Sequence, residues 1–551
     1  MRLTSIAVVL FLTACGSGLT PMPPSPSPAP AAPTPEALAS GAPSSPVLPP
    51  VPLVTGPLAP RVVYPSPNAI IQSRDSNFIF GSIGNGRASL AINGTPVHVW
   101  PNGAYLAWLP VPPPEAPSYE LVAAAGADTA RLSYPIRLRP PPVVTVDSLS
   151  ADSIQADTAR ADSAAARDTA VRLTVDSAAT YVALGAVPDS VVPDTDRVII
   201  ARPIPRGTYK WFLLPGTVLR ETGRDGEFVR VRLDAALDVW VAAADAIALP
   251  PGTTDPVRIV GNARVTPGPD YVDVVLPVAA RPAYAVEERD DDLVLTLYGV
   301  RATTDIIGYR QNDPLVRTVE WAQQTSDRAQ FTVHLHERPF GYLVMWSDGQ
   351  LVLRVRRPPA IDTANPLRGL TIAVDPGHPP IGATGPTGLW EPQATLWVGE
   401  RLAAMLRARG ANVVMTRTTM DPVALGDRPT MARRANAQLL VSIHLNALPD
   451  GINPFRAQGS GTYFFHPQAE PLARAVQRGL VARMQLPNLG VYYDNLALAR
   501  PTWMPSILCE GAFLMMPDQE AGLRTPQFQD AYARGIADGI EEFFRDLPAQ
   551  R

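Results

Sequence analysis

Four residues near the end of this 551-residue chain carry side chains suited to hydrolytic chemistry, and three of them follow short apolar runs. His378 comes after Thr371 to Val374 by way of Asp375-Pro376-Gly377, His444 follows Leu439 to Ile443, and Glu510 follows Ser506 to Cys509. Glu391 precedes Pro392, and proline is favoured in a first helical turn, so Glu391 is predicted to open a helix. Ligands of open α/β sheets gather beyond the carboxyl ends of strands, which places all four toward one edge. Two imidazoles and one carboxylate are a familiar catalytic zinc set that leaves a fourth position for water. Glu510 would then be the spare carboxylate that acts as general base. Taken singly, the residues have plainer explanations: His444 could be buried against backbone, and Glu391 could be a helix-capping charge.

Other candidates are weaker. His334 and His336 alternate on one predicted strand face, but no third ligand lies near, so a half-exposed face is expected. Cys509 ends an apolar run and is expected to be a buried, inert thiol. Asp147, Asp152, Asp157, Asp162 and Asp168 recur among alanines and read as a solvated tract, not as metal ligands.

The elements that must hold the four residues read as α/β from about residue 368. Ala394, Val398, Leu402 and Met405 make one face of a helix ending at Gly410. Val413 to Met415 and Thr462 to Phe465 add strands, and Phe528, Tyr532, Ile536, Ile540 and Phe543 line a closing helix. Continuous apolar runs suit a mixed, mostly parallel sheet flanked by helices. The expected fold class is therefore multidomain: this domain, at 366–548, preceded by small all-β domains and by Pro-rich or low-complexity linkers.

Before it, 62 prolines in the chain cluster into tethers, and a net charge of −4 with no basic block excludes nucleic-acid binding. Residues 16–60 are a Pro-rich tether, and 61–140 a β-sandwich of immunoglobulin-like type whose Asn93-Gly94 suits a type I′ hairpin turn. A low-complexity linker spans 141–194. Strand runs over 195–250 resemble an SH3-like barrel, and those over 255–360 resemble the AMIN-type domains of cell-wall amidases. Residues 1–15 have a basic start, an apolar run too short to span a bilayer, and Leu12-Thr13-Ala14-Cys15. This resembles a lipoprotein signal, or lipobox, and implies export to the periplasm with Cys15 lipidated and anchored, by expectation, in the outer membrane.

The last domain also resembles a known family. Thr371-Ile-Ala-Val-Asp-Pro-Gly-His378, Val414-Met-Thr-Arg417, Leu425 to Asn436, Val441-Ser-Ile-His-Leu-Asn446 and Pro505-Ser-Ile-Leu-Cys-Glu510-Gly-Ala-Phe513 resemble the ordered motifs of zinc-dependent N-acetylmuramoyl-L-alanine amidases. The resemblance covers residues 368–546. It implies Zn2+ held by His378, Glu391 and His444, with Glu510 as the catalytic carboxylate. It also implies a substrate, the peptidoglycan amide between N-acetylmuramic acid and L-alanine, while Arg417, Arg428 and Asn446 would fix loops and strands. Pro379 and Pro380 replace the family's usual glycines, and Phe513 to Met516 promise a greasier wall beside Glu510. The stretch from Asn446 to Gly461 is too short for an inhibitory helix. Two other readings remain: a silent peptidoglycan-binding lipoprotein, or a zinc peptidase of the stem peptide.

Overall fold

The computed structural model describes residues 48–139, 179–185, 198–347 and 349–547. The lipobox with Cys15, most of the 16–60 tether and the repeated Asp pairs lie outside them. In the C-terminal region the strands are β1 (Thr371–Pro376), β2 (Asn412–Met415), β3 (Leu439–Asn446), β4 (Ser460–Phe464), β5 (Asn488–Tyr493) and β6 (Ser506–Phe513). The helices are α1 (Glu391–Ala408), α2 (Asp427–Arg434), α3 (Glu470–Met484), α4 (Pro517–Leu523) and α5 (Pro526–Asp546).

The six strands run in the order β2-β1-β3-β6-β4-β5. The pairs β1/β2, β1/β3, β3/β6 and β4/β5 are parallel, and β4/β6 is antiparallel. Successive residues of a strand point to opposite faces. Ile372, Val374, Val441, Ile443, Ile507 and Cys509 therefore share one face, packed on α1, α3 and α5, while Ala373 and Leu440 pack with Ala432 of α2 on the other. That two-sided burial explains why the central runs show no apolar alternation. In α1 the apolar row includes Val398, Leu402 and Leu406, and Met405 is only partly covered.

The remaining described residues are almost entirely β. Residues 61–138 form a three-stranded and a four-stranded sheet around Ile79, Ile92, Tyr105 and Tyr119. Asn93 and Gly94 both take positive φ (47° and 78°), as a type I′ turn requires. A seven-stranded sheet follows, and it departs from the sequence reading at its start. Tyr181–Leu184, inside the expected 141–194 linker, is one of its strands and pairs with Val218–Asp225 and Ala246–Ala248. Four apolar residues beside an Asp/Ser/Ala tract are too short to show a period, which is why the run is missed. Residues 259–356 build a five-stranded and a four-stranded sheet over a core that includes Val265, Leu295, Phe331 and Leu353.

These units are fastened to the C-terminal domain. Buried Arg356 donates to the backbone carbonyls of Asn436 and Ala437. Phe513, Met515 and Met516 pack on Phe78, Phe80 and Leu106 of the first β unit. The apolar run expected to wall the site is thus an interface between domains: β6 carries it past Glu510 and under the neighbouring sheet. The 446–461 segment likewise carries Asp450, which accepts hydrogen bonds from Tyr64, the Gln72 N–H and Asn77.

Candidate active site

Glu391 is the hub. It is 4% exposed at the first turn of α1, and its two oxygens are used differently. Oε2 accepts from the Ala383 N–H at 2.9 Å, which fixes the carboxylate plane, and Oε1 accepts from the Leu445 N–H at 3.0 Å. The same Oε1 lies 3.2 Å from His378 Nε2 and 3.3 Å from His444 Nδ1. The imidazoles face edge to face-on, with centroids 4.8 Å apart. Burial pushes the Glu391 carboxyl up, but its hydrogen bonds and charge interactions with the two histidines outweigh this and hold it well below the ordinary range.

One ligand atom from each of His378, Glu391 and His444 falls within 4.8 Å of the others. Zinc–ligand bonds of roughly 2.0–2.1 Å in a tetrahedron put neighbouring ligand atoms about 3.3 Å apart, close to the two separations seen here. The donor set and its spacing fit a divalent transition metal. This is the one cluster of its kind among the described residues. His334 instead bonds Asp292 at 2.7 Å, and its strand ends at Leu335, so His336 lies beyond it.

Glu510 stands beside the cluster, in register with His444 across β3/β6. Its Oε2 is buried and has no hydrogen-bond partner. Burial, and then the charge of Glu391, drive its carboxyl well above the ordinary value. Buried polar groups are nearly always partnered, so an orphan oxygen beside convergent ligands marks a place for chemistry. Cys509 faces the opposite side of β6, fully buried, and burial pushes its thiol up, which leaves it inert.

Buried arginines hold the ligand loops. Arg428 pairs with Asp375 at 2.9 Å and donates to the carbonyl of His378 at 2.8 Å. Arg417 donates to the carbonyls of Gly377 at 3.0 Å and Pro392 at 2.6 Å, tying the His378 loop to the start of α1. Burial and the neighbouring Arg428 lower Arg417 to about 10. Gly377 is required by space, since a Cβ there would lie 2.4 Å from the His444 ring. Asn446, the remaining motif residue, is a polar neighbour of the Tyr463 side chain.

Two supports escape sequence reading. The Tyr532 hydroxyl accepts from the Gly511 N–H and lies 2.9 Å from the carbonyl of His444 and 3.0 Å from that of Cys509, locking the strand ends that carry His444 and Glu510. Fully buried Glu520 accepts from the N–H groups of Thr387 and Leu389, shaping the loop that leads into Glu391. Tyr532 reads in sequence only as core, and nothing singles out Glu520, because bonds to backbone leave no residue pattern.

An α/β domain that gathers two imidazoles, a carboxylate and a spare buried carboxyl at its strand ends has the plan of a metal-dependent hydrolase. Through this domain the chain belongs to the N-acetylmuramoyl-L-alanine amidase family, whose model matches residues 372–542. It is similar to the probable cell wall amidase LytH of Staphylococcus epidermidis, 30% identical over 186 residues, or 33% of this chain and 61% of LytH. It is similar also to YqiI of Bacillus subtilis, 31% identical over 34% of this chain and 90% of YqiI. Among solved structures, N-acetylmuramoyl-L-alanine amidase AmiC2 of Nostoc punctiforme is 29% identical over 33% of this chain and 98% of AmiC2, with a TM-score of 0.30. The chain thus spans less than two thirds of LytH.

Proposed function

We propose that this protein hydrolyses the amide between the lactyl group of N-acetylmuramic acid and the first L-alanine of peptidoglycan stem peptides. The observation that carries the reading is the convergence of His378, Glu391 and His444 beside the unpartnered oxygen of Glu510, inside the domain that the amidase family model matches. Those three residues would hold Zn2+, which when bound supplies Lewis-acid chemistry, acidifying water and polarising the amide carbonyl.

The protein's own groups do the rest. Glu391 offers one oxygen inward because Ala383 occupies the other. Arg428 and Arg417 keep the His378 loop from shifting. Glu510 Oε2 takes the proton of the attacking water and returns it to the departing amine nitrogen of L-alanine. Its buried setting, which favours the protonated form, suits that second transfer. We further propose that the protein is exported and acts at the cell wall from a lipid on Cys15, with the β units as spacer and localiser.

The test is digestion of purified peptidoglycan by the protein and by Glu510→Ala, with products read by mass spectrometry. Free stem peptides beginning with L-alanine are expected from the wild type alone. Cuts within the stem would make the protein a peptidase, and no release from folded, zinc-loaded protein would leave a silent wall binder.

A further inference from the structure

On the sheet face that carries Glu510, β4 and β5 leave Tyr463 half-buried and Tyr492 exposed. In register, Gly461 lies opposite Glu510, and Gly490 lies opposite Gly461. Tyr463 and Tyr492 are paired two residues further along, so by strand alternation they share this face with His444 and Glu510. The helix packed on β4 and β5 is α3, from the opposite face, where Phe464 and Val491 join the core. The two tyrosine rings stack at 5.1 Å and 23°, and Tyr492 is 40% exposed.

A Cβ on Gly461 would lie 3.4 Å from the Tyr492 ring, an ordinary contact, which places that ring over the strand position paired with Glu510. Gly490 has φ +94° and open space where a Cβ would go, and Leu489 borders the rings beside Gly461. A stacked aromatic pair, half-buried at Tyr463 and exposed at Tyr492, on the face of a candidate catalytic carboxyl is a platform for a flat, weakly polar group.

Charge selects the occupant. Burial favours the protonated form of Glu510, so the acidic neighbour that sets the charge at Tyr463 is Asp494, and Asn446 is a polar neighbour of the same ring. A stem peptide bearing free carboxylates is disfavoured beside Asp494. An uncharged N-acetylated sugar ring is not, and its apolar face can stack while its hydroxyl and acetamido groups meet Asn446 and the Tyr463 hydroxyl.

We propose that Tyr463 and Tyr492 form a stacking subsite for an amino-sugar ring of the glycan strand, beside Glu510. The proposal rests on the amidase reading, and it gives the glycan side of the substrate to β4 and β5, leaving the stem peptide to the other side of the ligand cluster.

The experiment measures binding by calorimetry of a soluble, peptide-free oligomer of N-acetylglucosamine and of a sugar-free stem peptide to the full chain, to Tyr492→Ala and to Tyr492→Phe. The oligosaccharide is expected to bind the wild type, to weaken at least about fivefold in Tyr492→Ala, and to be retained within about twofold in Tyr492→Phe. Tyr492 is 40% exposed, and Tyr492→Phe keeps the ring while removing the hydroxyl; the far-UV circular dichroism of Tyr492→Ala, expected to match the wild type, is its folding control. An oligosaccharide that does not bind, or that binds Tyr492→Ala as well as wild type, overturns the proposal. So does a Tyr492-dependent loss confined to the peptide probe. Because binding needs no turnover, Tyr492-dependent sugar binding in a protein that releases no stem peptide would sink the amidase reading alone.

Discussion

Glu510 combines two properties that a purely structural residue would not keep together: deep burial and an oxygen with no partner. Glu510→Gln should lower the rate of amide hydrolysis at least ~10²-fold in steady-state kinetics while the fold is retained. The same residue should cost stability in metal-free protein. Its folded carboxyl resists ionisation, so near neutral pH the folded state holds a proton that the unfolded state has given up. Wild-type stability should therefore fall as pH rises above the ordinary glutamate value of ~4.3, and Glu510→Gln should lack that slope. Glu391 works the other way: its carboxyl is depressed, so its contribution is present above the ordinary value and lost only as pH falls below it. Chelated wild type and Glu510→Gln, compared by denaturant titration across pH 4–8, check the sign for Glu510. Equal slopes for the two proteins would contradict the assignment.

At the scale of elements, strand ends deliver the ligands and arginines set the loops. Asp375 is fully buried and bonded by Arg428, Ser442 and Thr416. Arg428→Ala leaves that carboxylate unpaired and frees the carbonyl of His378, so a loss of about 3–5 kcal/mol in stability is expected. Zinc affinity should drop ~10–100-fold, as when a ligand loses its support. Arg428→Lys should not restore either value, because one ammonium cannot reach Asp375 and the loop carbonyls together. Denaturation and competitive metal titration read these outcomes. The ligands were legible in sequence because β1, β3 and β6 are continuous apolar runs that stop abruptly at a polar residue, and because Pro392 marks the helix that Glu391 opens. Tyr532 and Glu520 were not, since each acts on backbone groups brought close only by the folded chain.

At the scale of the molecule, the first β unit is bound to the domain that carries the site. Asp450 collects Tyr64, the Gln72 N–H and Asn77, and Phe513, Met515 and Met516 bury their side chains against Phe78 and Phe80. Asp450→Ala is expected to speed amide hydrogen exchange in residues 446–456 and 70–80 together, with the rest of the sheet unchanged; exchange rising in only one segment would mean the two are not coupled. Composition foretold small β units joined to an α/β domain, but not this docking. An apolar run such as Phe513 to Met516 declares that it will be buried without saying by what, and beside Glu510 the groove was the nearer guess.

The central claim is that His378, Glu391 and His444 hold a metal that Glu510 works beside on an amide. The most direct test follows release of L-alanine-terminated stem peptides from peptidoglycan, with the metal content of the same sample measured before chelation, after it, and after zinc is returned. The expected result is about one zinc per chain, activity lost with the metal and restored with it, and no restoration in Glu510→Gln. Undiminished release from metal-free protein, or full release by Glu510→Gln, would contradict the account.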